Sequence, residues 1–293
     1  MHTRQHSLLN SLPFLVLAAC GGASQEAPGA NEPEPQAATA QPTTTQAPGD
    51  AAATQNALPA ILAGSHRSEE NRARDKYRHP AETLGFFGVQ PTQTVVELWP
   101  GRGWYTEVLA PLVREHGKLI AVAPVGNYLQ PYKDFLASRP DVYDRVQLAV
   151  ITPPDQLSLG PDNSADVVLT FRNLHNWISN GYAAQVHAAV FRVLKPGGVY
   201  GVVDHRAPPG TTAEQTKKTG YAPEEVAIQL ATAAGLVLDA RSEINANPKD
   251  TKNYPEGVWT LPPVLKLGDV DRDKYLAIGE SDRFTLRFRK PTQ

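Results

Sequence analysis

"VVELWPGRGWYT", residues 95 to 106, carries an apolar run into Trp99-Pro100, then into two glycines one residue apart, and then into residues that read as the start of a helix. Gly101 and Gly103 let the backbone turn sharply and approach a ligand. The helix that follows presents unpaired N–H groups at the positive end of its dipole, so a carboxylate or phosphate is a natural guest. A strand, a glycine turn and a helix in this order belong to an open α/β sheet, whose ligands sit beyond the carboxyl ends of the strands.

Outward from the turn, apolar runs alternate with helical stretches. "TVVELW", "KLIAVA", "RVQLAV", "ADVVLTF" and "GVYGVVDH" read as strands; helices are expected over 105–116, 131–138 and 183–194. Continuous apolar strands separated by helices point to a parallel sheet covered on both faces. Near the end, "APEEVAIQLATAAG" reads as a helix, "LVLDARSEI" as a strand, and "RFTLRFRK" as a strand alternating apolar and charged residues, the pattern of an antiparallel partner. Residues 246–281, rich in Pro and aromatic residues including Tyr254 and Trp259, make a long connection of the kind that forms a lid. Before the sheet, residues 58–90 read as N-terminal helices: a charged helix ending at His79-Pro80, then a short one with Leu84, Phe86 and Phe87. The mixed charges from Arg67 to Arg78 are expected on a solvated helix face.

The dinucleotide fingerprint G-x-G-x-x-G fails at Thr106, which argues against a dehydrogenase. Glu97 followed by "PGRG" resembles instead the first motif of class I S-adenosylmethionine-dependent methyltransferases. "PDNSADVVLTFRNLHNW" is similar to that family's fourth strand and following loop, and "LKPGG" at 194–198 to its junction before the fifth. "NLHNW", "DHRAPPG" and "DRFTLRFRKP" resemble a group of predicted exported bacterial methyltransferases. The resemblance spans most of residues 80–290. It implies a Rossmann-like, seven-stranded, mostly parallel sheet with helices on both faces and an antiparallel last strand, and S-adenosylmethionine as cofactor. By position it places Glu97, Gly101, Arg102 and Gly103 around the methionine end, Asp155 or Thr152 near the adenine, and Asn173 on the loop beyond the fourth strand.

Two departures accompany the likeness. Trp99 stands where the family has glycine, and the second strand ends in Ala123-Pro124 where the family has an acid for the ribose hydroxyls. His175, Asp204 and His205 fall at the carboxyl ends of the fourth and fifth strands and are the candidate catalytic residues, as a base with its orienter or as metal ligands. No compact His/Cys/carboxylate spacing accompanies them, so no metal is expected. Arg172 and Arg206 are candidate contacts for an anionic substrate. Trp104 and Tyr105 are expected to pack on the first segment.

Of 293 residues, 28 are Lys or Arg against 30 Asp or Glu, a balance that leaves no electrostatic footprint for nucleic acid. The apolar stretch from Leu8 to Ala19 is too short for a membrane span. It ends in "LAAC", which resembles the bacterial lipoprotein signal, with residues 1–19 as signal peptide and the sole cysteine, Cys20, as the lipidated residue. Residues 20–57, poor in large apolar residues, are expected to be a disordered tether. The domain proper is expected over 58–293. The resemblance implies an exported protein anchored by lipid to the periplasmic face of a bacterial membrane. Gly21 lacks the aspartate that retains some lipoproteins in the inner membrane and so favours the outer one. The acceptor would be a small molecule or envelope component. The competing readings are a non-catalytic ligand-binding or envelope-associated lipoprotein that keeps the fold, and a metal-assisted hydrolase using His175 and His205.

Overall fold

The computed structural model describes residues 48–292. The signal segment, Cys20 and the tether up to residue 47 lie outside the described residues.

Seven strands form one sheet: β1 (Thr94–Leu98), β2 (Lys118–Pro124), β3 (Gln147–Ile151), β4 (Ala165–Phe171), β5 (Leu194–His205), β6 (Val237–Ser242) and β7 (Arg283–Arg289). Their order is β3-β2-β1-β4-β5-β7-β6. Every pairing is parallel except those of β7, which runs antiparallel to β5 and to β6. The alternation of Phe284, Leu286 and Phe288 with Thr285 and Arg287 therefore marked the antiparallel strand correctly. Sequence order reverses between β1 and β4, which pair from Val95↔Val167 to Leu98↔Thr170. A crevice opens at this switch point.

Successive strand residues feed opposite layers, as the period of two requires. Val96, Leu98, Val122, Val168 and Tyr200 pack with helix Ala183–Val193 in one buried layer. Val95, Leu119, Val167, Leu169 and Val203 pack on the other face with helices Pro80–Phe87 and Thr106–Val113. Burial on both faces explains why β1 and β4 read as unbroken apolar runs.

Three expectations for local structure need correction. A helix runs from Pro48 to Ala63 and so takes in the last ten residues of the expected tether. Its alanines favour helix, Leu58 is fully buried, and the Thr54 hydroxyl donates to Val89 O at 2.8 Å. The charged segment is not one solvated helix either: it breaks into single turns at Glu69–Arg72 and Asp75–Arg78. Arg67 and Arg78 are buried rather than solvated. Arg67 pairs with Asp75 at 2.7 Å and Glu107 at 3.4 Å, so its charge is met from inside the domain. The helices Leu174–Ser179, Ala213–Thr219 and Arg272–Ile278 were not anticipated. The expected break at His79-Pro80 is present, with His79 left-handed at φ 42°.

Candidate active site

The crevice encloses about 850 Å³ and is walled by the glycine turn, the ends of β2, β4 and β5, the first segment and the long connection between β6 and β7. That volume is in the range of small-molecule sites. Segment 246–281 contributes Trp259, Pro263 and Val264 to the wall.

The turn adopts the left-handed conformations that its glycines permit, with φ 62° at Gly101 and 87° at Gly103. Their reasons differ. A Cβ at Gly103 would lie 2.4 Å from the Phe135 ring, whereas one at Gly101 would meet nothing and would project into open space. Trp99 is also left-handed, at φ 49°, an uncommon conformation for a bulky residue. Its N–H donates to Val122 O at 2.8 Å, and its indole packs on Trp177 with centroids 5.0 Å apart. The indole forms wall and leaves the crevice open. Asn173 pins the turn to β4, its Nδ2 donating to Leu98 O at 2.9 Å and to Thr170 Oγ1 at 3.1 Å. Trp104 and Tyr105 pack on the first segment as expected: the indole N–H donates to Asn71 O, and the Tyr105 hydroxyl donates to Arg78 O.

Glu97 lies at the base of the turn. It is buried, and burial pushes its carboxyl up to about 7, only partly opposed by the Thr106 hydroxyl donating to Oε2 at 2.6 Å. Since Thr106 spends its proton on Glu97, the Tyr132 hydroxyl 3.1 Å away donates to Thr106. Among the described residues Glu97 is the only carboxyl group lining the crevice, against Arg74, Arg78, Arg102 and Arg172.

His175 and Asp204 form a dyad. His175 Nδ1 lies 2.8 Å from Asp204 Oδ1, and the His175 backbone N–H donates to Oδ2 at 3.1 Å. The His205 backbone N–H also donates to Oδ1, at 2.7 Å. Asp204 is fully buried behind His175, which lines the crevice. The carboxylate holds the proton on Nδ1 and leaves the Nε2 lone pair facing the crevice, the tautomer that a general base needs.

His205 is occupied differently. Arg172 Nε donates to its Nε2 at 3.3 Å, so a neutral ring must carry its proton on Nδ1, which then donates to Ser281 Oγ. Burial first, and then the charge of Arg172, hold its pKa well below the ordinary histidine value. Its lone pair is already used by Arg172, so His205 positions that guanidinium and is no second base. His175, Asp204 and His205 stand close enough to share a metal ion. The donor set argues against one: the Asp204 carboxylate already accepts from three N–H groups, and the Arg172 guanidinium takes the Nε2 lone pair of His205.

Two expected site residues fall elsewhere. Asp155 is exposed and lines a separate surface hollow with Val150, Gln185 and Arg192. Arg206 is committed to Glu243 at 2.5 Å, with Asp282 and Glu224 also within 4 Å. Arg102 lines the crevice but is exposed.

Arg74 and Arg78 were missed as site residues. Both reach into the crevice and share the carboxylate of Glu280, at 2.7 and 3.1 Å. Arg283 joins them at 3.1 Å. The i,i+4 spacing of Arg74 and Arg78 carried a weak signal, since it puts both on one side of a turn.

This sheet order, with β7 antiparallel and the glycine turn after β1, defines the class I methyltransferase fold. Solved structures share it. A SAM-dependent methyltransferase from Aquifex aeolicus matches 74% of this chain and 93% of its own at 16% identity, with a TM-score of 0.51. The [4+2]-cyclase SpnF matches 79% and 86% at 16% identity, TM-score 0.54. Phosphoethanolamine N-methyltransferase 2 from Haemonchus contortus, solved with S-adenosyl-L-methionine, matches 73% of this chain and 53% of its own at 16% identity, TM-score 0.50. No protein-family model and no curated protein sequence matches the chain. Likeness at this identity establishes fold, and a cyclase among the matches shows that the fold does not dictate the reaction.

Proposed function

We propose that the chain is an S-adenosylmethionine-dependent methyltransferase in which His175 removes the acceptor's proton. One observation carries the reading: the Asp204-backed Nε2 of His175 opens on the same crevice as the glycine turn. The cofactor fits this crevice in part. The turn offers open space at Gly101 and a carboxyl at Glu97, and the volume is adequate. Among the described residues no acid faces the ribose position, where Ala123 and Pro124 form the wall.

When bound, the sulfonium supplies an electrophilic methyl group. His175 Nε2 accepts the proton that the acceptor's hydroxyl or amine gives up as it becomes a nucleophile. Asp204 keeps the ring oriented and stabilises the imidazolium. Trp99, Trp259 and Tyr105 wall the crevice with apolar surface that limits the access of water.

Calorimetry on the full chain tests the reading. One missing charged hydrogen-bond partner costs about 1.5–3 kcal/mol, so S-adenosylmethionine and its demethylated product are expected to bind roughly ten- to a hundredfold more weakly than to a site with the ribose acid. Ala123→Asp is expected to recover about tenfold. The four lining arginines and the missing acid favour a second reading, a crevice that works on or binds an anionic ligand without the sulfonium. No heat from either compound at millimolar concentration, in the wild type and in Ala123→Asp, decides for that second reading.

We further propose that the protein works outside the cytoplasm, tethered to the outer membrane through lipidated Cys20. The "LAAC" stretch supports this, together with the absence of any second cysteine. Palmitate labelling in a bacterial host is expected to vanish in Cys20→Ser, and labelling that survives the change removes the anchor.

A further inference from the structure

Arg74, Arg78, Arg172 and Arg283 converge beneath the crevice, and among the described residues Glu280 is the only carboxylate in a salt bridge with any of them. Glu280 shows the imbalance. Burial alone would raise its pKa, but the four guanidiniums hold it well below the ordinary carboxylate value. Arg283 donates from all three of its nitrogens, to Tyr77 O at 2.6 Å, Ser281 O at 3.2 Å and Glu280. The other three do not. Arg74 Nη2 is buried without a partner. Arg78 gives only Nε to Glu280, and Arg172 gives only Nε to His205, so the Nη groups of both make no hydrogen bond within the described protein.

Two unused guanidinium forks therefore face the crevice wall that also carries His175. Arg78 is held in place by Trp104, whose ring centre lies 4.5 Å from its guanidinium carbon. Arg172 is held by His205. Burial and then the charge of Arg78 press its pKa down to about 9, yet a guanidinium keeps its proton at any ordinary pH. Uncompensated buried charge is costly, and planar forks match carboxylate and phosphate oxygens.

We propose that Arg78 and Arg172, with Arg74 behind them, form the binding site for an anionic head group, carboxylate or phosphate, of the substrate whose reactive atom lies at His175. The His175 and His205 rings are 5.2 Å apart, and the far nitrogen of His205 touches Arg172. Nucleophile and anion thus belong to one small molecule. The role of His175 rests on the proposed methyl transfer; anion binding needs no cofactor.

The test uses the full chain without S-adenosylmethionine, so that its failure is distinct from failure of the cofactor reading. Thermal unfolding is followed with inorganic phosphate or with succinate, against chloride at equal ionic strength. At least one anion is expected to raise the midpoint by several degrees, on the order of 5 °C when well above its dissociation constant. A response to phosphate alone assigns a phosphate head, and a response to succinate alone assigns a carboxylate. Arg172→Gln is expected to abolish the rise while being no less stable than wild type without anion, because it removes unbalanced charge. Arg145→Gln, exposed and outside the crevice lining, is expected to keep the rise. No anion-specific rise in the wild type, or a full rise in Arg172→Gln, overturns the proposal.

Discussion

Glu280→Ala is expected to be the most destabilising single substitution in the arginine cluster beneath the crevice, costing about 3–5 kcal/mol, the range for stripping the partner from buried charge. Its carboxylate is nearly inaccessible and receives N–H groups from Arg74, Arg78 and Arg283 within 3.1 Å. Without it, four guanidiniums would face one another across the base of the site. In a domain of this size 1 kcal/mol moves the unfolding midpoint by about 2–4 °C, so a fall of roughly 6–20 °C is expected in calorimetric scans. The effect has a definite pH dependence. The folded pKa lies below the unfolded value of about 4.5, so the native state holds the charged form more strongly. That stability is present above pH 4.5 and is lost as pH falls through the folded value. The gap between wild type and Glu280→Gln is therefore expected to be full at pH 7 and to shrink in acid. A midpoint change of under 2 °C at pH 7 would mean that the cluster is solvated and does not depend on Glu280.

This cluster was also the part least legible in the sequence. The strands were readable because burial on two faces writes itself locally, in runs such as "TVVEL" and "ADVVLTF". The helix after the glycine turn and the carboxyl-end positions of His175 and Asp204 followed from those strands. Arg74 and Arg78 looked solvated because they sit in a run of mixed charge with Glu69, Glu70 and Asp75, the usual pattern of a solvated helix face. Glu280, which opposes their charge, stands about 200 residues away and arrives at the end of the long connection. The same limit applies to His205. Its place beside His175 was legible, but its use of the lone pair depends on Arg172, whose backbone is left-handed at φ 65° just after β4. The helix over 48–57 was hidden by composition: alanine supports both a tether and a helix, and only Leu58 and the contact of Thr54 with Val89 decide between them.

The dyad gives the largest expected effect on turnover. With small acceptors that carry a hydroxyl or amine beside a carboxylate or phosphate, release of demethylated cofactor provides the assay, and His175→Gln is expected to lower kcat by about 10²–10⁴, the range for a general base. Asp204→Asn is expected to fall about as far. The carboxylate accepts from His175 Nδ1 and from two backbone N–H groups, so an amide there must turn a donor toward a donor or lose one of these bonds. In triad hydrolases the equivalent change strands the ring in the wrong tautomer and lowers kcat about 10⁴-fold. Both substitutions act on proton transfer alone and should leave KM near its wild-type value. Arg172→Gln should instead act chiefly on KM, because it removes a contact that substrate and transition state share. The kinetic contrast separates a base from a binding residue within one wall of the crevice. If His175→Gln keeps more than a tenth of wild-type kcat, the proton leaves by another route and the dyad is a structural brace between β4 and β5.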